Sequence, residues 1–203
     1  MSSIRCARRV RAFLTLVLVT LPLALAFGAS SVEAGLGIAC PDPTTQAFRA
    51  WSDYAQYAQV PDGGFEAGAS GWKLAGGAKV VAGNEPFYLR STGDRWSLSM
   101  PAGSTATSPP MCISLLSSKM RFVAGGSKGS VKVQVLYRGL LSSTLGILDG
   151  GTVGSSGEWA PSPAVSMLGG VLPLLTQSVQ FQFVATSGSI RVDDVFLDPW
   201  KIG

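Results

Sequence analysis

Val131-Lys132-Val133-Gln134-Val135 and Val179-Gln180-Phe181-Gln182-Phe183 decide the fold. In each, apolar and polar residues alternate with a period of two, so an extended backbone turns three apolar side chains to one face and two polar ones to the other. Working outward, the same signature recurs in short runs at Ala78–Ala82, Phe87–Arg90, Trp96–Met100, Lys119–Val123, Val131–Tyr137, Leu145–Leu148, Val165–Leu168, Val179–Ala185 and Ile190–Leu197, separated by Gly, Ser, Pro and Asp clusters. Strands with one apolar face need a second layer to cover it. The expected architecture is therefore all-β, an antiparallel sandwich of two sheets over residues 61–200. Gly125-Gly126-Ser127-Lys128-Gly129 reads as a hairpin turn between two of these strands, and Gly103–Pro110 as loop material.

The rest of the chain is punctuation around that domain. Arg5, Arg8, Arg9 and Arg11 precede a nearly unbroken apolar run from Ala12 to Phe27, and small residues lead to Ala34. Residues 1–34 read as a secretory signal peptide, with a retained membrane anchor as the alternative. Without them the formal net charge of +4 falls to +1, because four arginines leave together with Glu33. A nearly neutral chain with no run of Lys or Arg has no electrostatic footprint for nucleic acid and little pull toward an anionic bilayer. Residues 35–60 form an aromatic strap carrying Phe48, Trp51, Tyr54 and Tyr57, in which Thr44–Tyr57 has the spacing of a short helix. Cys40 and Cys112 remain as an even pair in an oxidising compartment, where a disulfide is expected.

Catalytic classes fall away for want of residues. The 203-residue chain contains no histidine, which removes Ser-His-Asp and Cys-His nucleophiles and His-ligated zinc. The letters Gly-x-Ser-x-Gly at Gly125–Gly129 fall between strands, without a base to take a proton. Glycoside hydrolysis needs only two carboxyls; Glu66, Glu85, Asp94, Asp149, Glu158, Asp193 and Asp194 leave it formally open, although scattered acids usually just solubilise a surface. An enzyme is not expected.

Two stretches carry a resemblance. Pro61-Asp62-Gly63-Gly64-Phe65-Glu66 followed by Gly71-Trp72, and the closing Ile190-Arg191-Val192-Asp193-Asp194-Val195-Phe196-Leu197, resemble the first and last strands of carbohydrate-binding jelly rolls of the galactose-binding-like superfamily. The resemblance implies a jelly roll and a secreted, extracellular, monomeric binding module whose partner is a glycan or another cell-envelope component. The alternative is a structural or adhesive domain that meets protein. It also implies a structural calcium held by Glu66 and Asp193, with Gly64 as carbonyl donor; the null is that both acids merely hydrogen-bond turns. Alternation places Asp193 and Asp194 on opposite faces of their strand. For the ligand, Asn84-Glu85-Pro86-Phe87-Tyr88 is the candidate, since a turn gathers the lone asparagine, an acid and two aromatics. Trp72 and Trp96 read as core.

Overall fold

The computed structural model describes residues 44–112, 119–167 and 176–198. Residues 1–34, Cys40, the side chain of Cys112 and the apolar run Val171–Leu175 lie outside them, and with them the signal peptide and disulfide expectations. Twelve strands follow one another: β1 Ala58–Gln59, β2 Lys73–Ala75, β3 Lys79–Ala82, β4 Trp96–Pro101, β5 Thr105–Thr107, β6 Met111–Cys112, β7 Lys119–Gly125, β8 Lys128–Arg138, β9 Thr144–Ser156, β10 Ala160–Pro161, β11 Val165–Ser166 and β12 Ser178–Asp198. All pairings among them are antiparallel.

β12 belongs to both layers. Its first half pairs with β8 on one side and with β5 and β6 on the other, and β2 and β9 extend that layer outward. Its second half pairs with β7 on one side and with β4 and β1 on the other, and β3, β10 and β11 complete the second layer. The result is the expected all-β sandwich, made from one antiparallel sheet curled over on itself. Its core is filled by Val131, Val133, Val135, Phe181 and Phe183 from the first layer and by Leu98, Met100, Phe122, Ile190 and Val192 from the second, all fully buried.

The register of β12 shifts twice, and each shift reverses which residues point inward. Core residues are Val179, Phe181, Phe183 and Ala185, then Ile190 and Val192, then Val195 and Leu197. The first reversal is the corner between layers at Ala185–Ser187. There Gly188 has φ +61, and a Cβ on it would overlap the carbonyl oxygen of Lys128, so no other residue fits without moving the backbone. The second is a bulge at Asp193–Phe196 with Asp194 at φ +45. A bulge sends two consecutive side chains to one face. Asp193 and Asp194 consequently share the outer face, correcting the expectation that they alternate.

Five other expectations change. Gly103–Pro110 is not all loop, since β5, Thr105–Thr107, pairs there with β2 and β12. Gly125–Gly129 is not a hairpin, since β7 pairs within one layer and β8 within the other; the turn carries the chain across the sandwich. Phe87–Arg90 is a turn rather than a strand, with Tyr88 at φ +52. Thr44–Tyr57 contains one 3-10 turn, Arg49–Trp51, instead of a helix. Trp96 is 42% exposed, because β4 carries it past the end of the core.

Residues 44–60 lie on the outer face of the second layer and add β1 to its edge. Phe48 and Tyr57 are fully buried against Val123 and Phe196. Asp53 fastens the contact: it accepts hydrogen bonds from the Tyr57 hydroxyl at 2.7 Å, Arg121 Nη1 at 2.9 Å and Lys119 Nζ at 3.3 Å. Burial pushes its pKa up, but the Tyr57 hydroxyl, the Ala55 amide, Arg121 and Lys119 together overcome that and bring it down to about 2.

Two outcomes follow for stability. Gly188→Ala forces a strained φ and a backbone clash, and should cost roughly 3 kcal/mol in urea denaturation; an unchanged midpoint would show that the corner is not a constraint. Asp53→Ala should cost about 2 kcal/mol. Because the folded pKa lies below the unfolded value of about 3.8, the contribution is complete above about pH 4 and disappears as pH falls toward 2. Melting curves of the two proteins should therefore converge at low pH.

Candidate functional site

The bulge in β12 and the turn after β3 build one buried acidic cluster. Pro86 directs the chain back over the outer face, and the Glu85 carboxylate folds under its own turn. Oε1 accepts the amide of Leu89 at 2.9 Å and Oε2 the amide of Phe87. The Glu85 amide donates to Asp193 Oδ2 at 3.1 Å, and the Asp194 amide to Asp193 Oδ1 at 2.9 Å. Gln59 donates to Asp194 Oδ1 at 3.1 Å. Gly64 passes so close that a Cβ there would lie 3.0 Å from that same oxygen.

Glu85 and Asp193 are fully buried and Asp194 is 1% exposed. Asp194 Oδ2 is buried without a hydrogen bond among the described residues. Nearby Asp94 is occupied by Arg90, at 2.6 and 3.0 Å. Burial, and then the charge of Asp194, push the Asp193 pKa up to about 9. Burial and the neighbouring Glu85 push that of Asp194 up to about 8. Without a cation the pair stays protonated at neutral pH, because desolvating a charge costs more than holding the proton.

The residues expected to hold calcium are not brought together as that expectation had them. Glu66 is spent differently: its Oε1 accepts the amides of Arg95 and Trp96 at 2.7 and 2.8 Å. Gly64 lies beside Asp194 rather than Asp193. Calcium requires several hard oxygens around one point. The buried acids have the right donor chemistry and an oxygen in want of a partner, but among the described residues no three acidic side chains form a ready cage.

The expected ligand turn is divided. Glu85 is interior, and Phe87, 39% exposed, sets its edge on the ring of Trp51 with centroids 4.9 Å apart. Tyr88 is 44% exposed, and Asn84 is half-buried with its Nδ2 given to the Glu85 carbonyl at 2.9 Å.

A better formed recess opens at the end of the sandwich. Phe65, Glu66, Gly68, Val80 and Trp96 line a cavity of about 380 Å³. Trp96 supplies a partly exposed indole, Phe65 a buried floor, and Glu66 an oxygen, Oε2, with no partner among the described residues. Such a combination suits a ring that has one apolar face and hydroxyls at its rim. Sequence reasoning missed it because Trp96 keeps step with Leu98 and Met100, and period-two reading cannot tell where a core stops. Glu66 directly after Gly-Gly-Phe was the signal that could have found it.

No protein-family model matches this sequence, and no curated protein matches it. Its fold does have solved counterparts. The enzymatically active domain of tailspike protein 4 from bacteriophage CBA120 aligns over 68% of this chain and 21% of its own, with 16% identity and a TM-score of 0.50. The CBM22-1-GH10 modules of Clostridium thermocellum xylanase 10B, solved with xylohexaose, align over 70% of this chain and 29% of theirs, with 14% identity and a TM-score of 0.51. This chain thus spans less than a third of either. Further matches include CBM22, CBM6 and CBM61 modules. The sandwich described above has the fold of carbohydrate-binding modules.

Proposed function

We propose that this protein is a secreted, non-catalytic glycan-binding module. The observation that carries the reading is the recess that Trp96 and Phe65 line together, where Glu66 Oε2 has no hydrogen-bond partner among the described residues. A pyranose lays its apolar face on the indole and donates a hydroxyl to Glu66. One short site of this kind gives weak affinity, which repetition of sites would raise. The solved fold counterparts lend support, one of them having been crystallised with a xylo-oligosaccharide. Among the described residues of the lining Glu66 is the one acid, whereas glycosidases flank the scissile bond with two, which favours binding over hydrolysis.

Calcium belongs to the same proposal, and since no three acidic side chains among the described residues form a cage, an ion beside Asp193 and Asp194 would have to complete its shell with backbone carbonyls and water. A divalent cation there would let Asp193 and Asp194 ionise and would replace the proton that Asp194 otherwise shares with Glu85. Its role is structural, holding the Asn84–Arg90 turn and the Gly63–Gly64 segment to β12.

A second reading has its own observation. Leu140, Leu141, Leu145 and Ile147, at the β8–β9 hairpin, are 59, 87, 38 and 58% exposed. Neighbouring aliphatic side chains left in water favour an adhesive role in which this hairpin meets another protein.

Affinity electrophoresis against soluble polysaccharides and pull-down on insoluble cell-wall polymers test the main reading. Trp96→Ala should weaken any binding by tenfold or more, about 1.4 kcal/mol, with an unchanged melting curve. Blank results with every glycan, alongside capture of an envelope protein that Leu141→Asp abolishes, would transfer the case to the second reading.

The acidic cluster makes a separate forecast. Folded pKa values above the unfolded ones mean that the folded state holds protons the unfolded chain has released between about pH 4 and 9. Stability of the chelated protein should therefore fall as pH rises through that window. Calcium should raise the melting temperature most at the alkaline end. A midpoint indifferent to both chelator and pH would remove the ion.

A further inference from the structure

Arg191 lies one residue from the core position Val192 and points to the outer face of the second layer, half buried. Arginine in such a place normally meets a carboxylate. Here none is within ion-pair distance among the described residues. The guanidinium is instead fixed by neutral acceptors: Nε donates to Ser97 Oγ at 2.9 Å, and Nη2 to the Ala82 carbonyl at 2.8 Å, to Ser97 Oγ and to the Gly83 carbonyl. Three acceptors therefore hold one edge of the fork, while Nη1 makes no hydrogen bond among the described residues. Carbonyl and hydroxyl dipoles orient the cation, and the carboxyl that acts on it through space, the buried Asp193, stands outside ion-pair distance and leaves Nη1 without a direct partner among the described residues.

The surroundings keep that group open on one side and walled on the other. The ring of Trp159 lies against the guanidinium, 5.5 Å from centroid to carbon. Gly126 makes room for both, since a Cβ there would come within 2.6 Å of Arg191 Cδ and 3.0 Å of Trp159 Cζ2. Gly83, at φ +107, does the same beside Nη1, where a Cβ would lie 3.0 Å away. The next residue, Asn84, has committed its Nδ2 to Glu85, and its Oδ1 accepts no hydrogen bond among the described residues. A held cation with an open N–H, an indole wall and an amide acceptor one residue from Gly83 together ask for a ligand with an anionic oxygen, a flat apolar face and a hydroxyl.

We propose that Arg191, Trp159 and Asn84 form a subsite for a hexuronic acid residue, whose carboxylate is received at Arg191 Nη1 and whose hydroxyl donates to Asn84 Oδ1. This deepens the glycan-binding reading and rests on it. It gives that reading a substrate class, acidic polysaccharide, and a reason for discriminating it from neutral chains. A single charge-assisted hydrogen bond on a partly desolvated cation is of a size to provide that preference.

The test is titration of the full chain with polygalacturonate and with the same polymer after reduction of its carboxyls to neutral galactose units. The acidic polymer should bind at least tenfold more tightly at low salt, and the preference should disappear in Arg191→Gln and shrink in Asn84→Ala. In wild type, the indole N–H resonance of Trp159, assigned through Trp159→Phe, should shift as glucuronate is added and stay still with glucose. That readout stands even if Arg191→Gln fails to fold, since it needs no substitution at Arg191. Equal affinity for the two polymers, a preference that survives in a folded Arg191→Gln, or an indifferent Trp159 resonance would overturn the subsite. If neutral glycans then still bind in a Trp96-dependent way, only this inference falls; if no glycan of either kind binds, the parent reading falls with it.

Discussion

A single strand, shared by two layers, is the constraint on which this molecule depends. β12 runs for 21 residues and supplies an inner strand to both halves of the sheet. To do so it must turn a corner and must return to an inward-facing pattern afterward. The corner at Gly188 and the bulge at Asp194 perform those tasks, and each reverses the parity of the side chains beyond it. Without the first, the layers could not be continuous. Without the second, Val195 and Leu197 would face away from the core.

The bulge also explains where the charge went. By sending Asp193 and Asp194 to the same face, it creates a buried acidic floor, and the segments that cross it are built to meet that floor. Glu85 lends its amide to Asp193 and uses its carboxylate on its own turn, Gln59 reaches Asp194 Oδ1, and Gly64 makes the close approach. Backbone geometry in one strand thereby sets the electrostatics of a region drawn from four separate parts of the sequence. The aromatic strap covers the neighbouring ground, held by a carboxylate that behaves oppositely: Asp53 meets two cations and a phenol and remains ionised to low pH, whereas Asp193 and Asp194 are buried beside other carboxyls and retain protons.

The layers themselves were legible because their central strands alternate cleanly. Val131 to Val135 and Val179 to Phe183 are enough to imply one apolar face each, and those residues do line the interior. Pattern reading failed wherever the period breaks. It extended alternation through Asp193-Asp194, where a positive φ interrupts it, and carried the core out to Trp96, where the strand outruns its cover. It also cut β9 short at Leu145–Leu148, because the glycines at 150, 151 and 154 erase the alternating signal although the strand runs for 13 residues. At the site, Glu66 and Asp193 were expected as ion ligands, and both accept backbone amides. Their partners, backbone amides from distant turns, leave no trace in local sequence.

Because every other strand described here precedes β12, the order of synthesis matters. Until residues 178–198 have emerged, β8 has only β9 beside it in the first layer, and β7 and β4 lack the strand that joins them in the second. At ribosomal rates of about 5–20 residues per second, the nascent polypeptide spends seconds with several unsatisfied sheet edges and no closed interior. It is then a ready client for chaperones that grip extended segments, and its transition to a protease-resistant state should be abrupt rather than gradual.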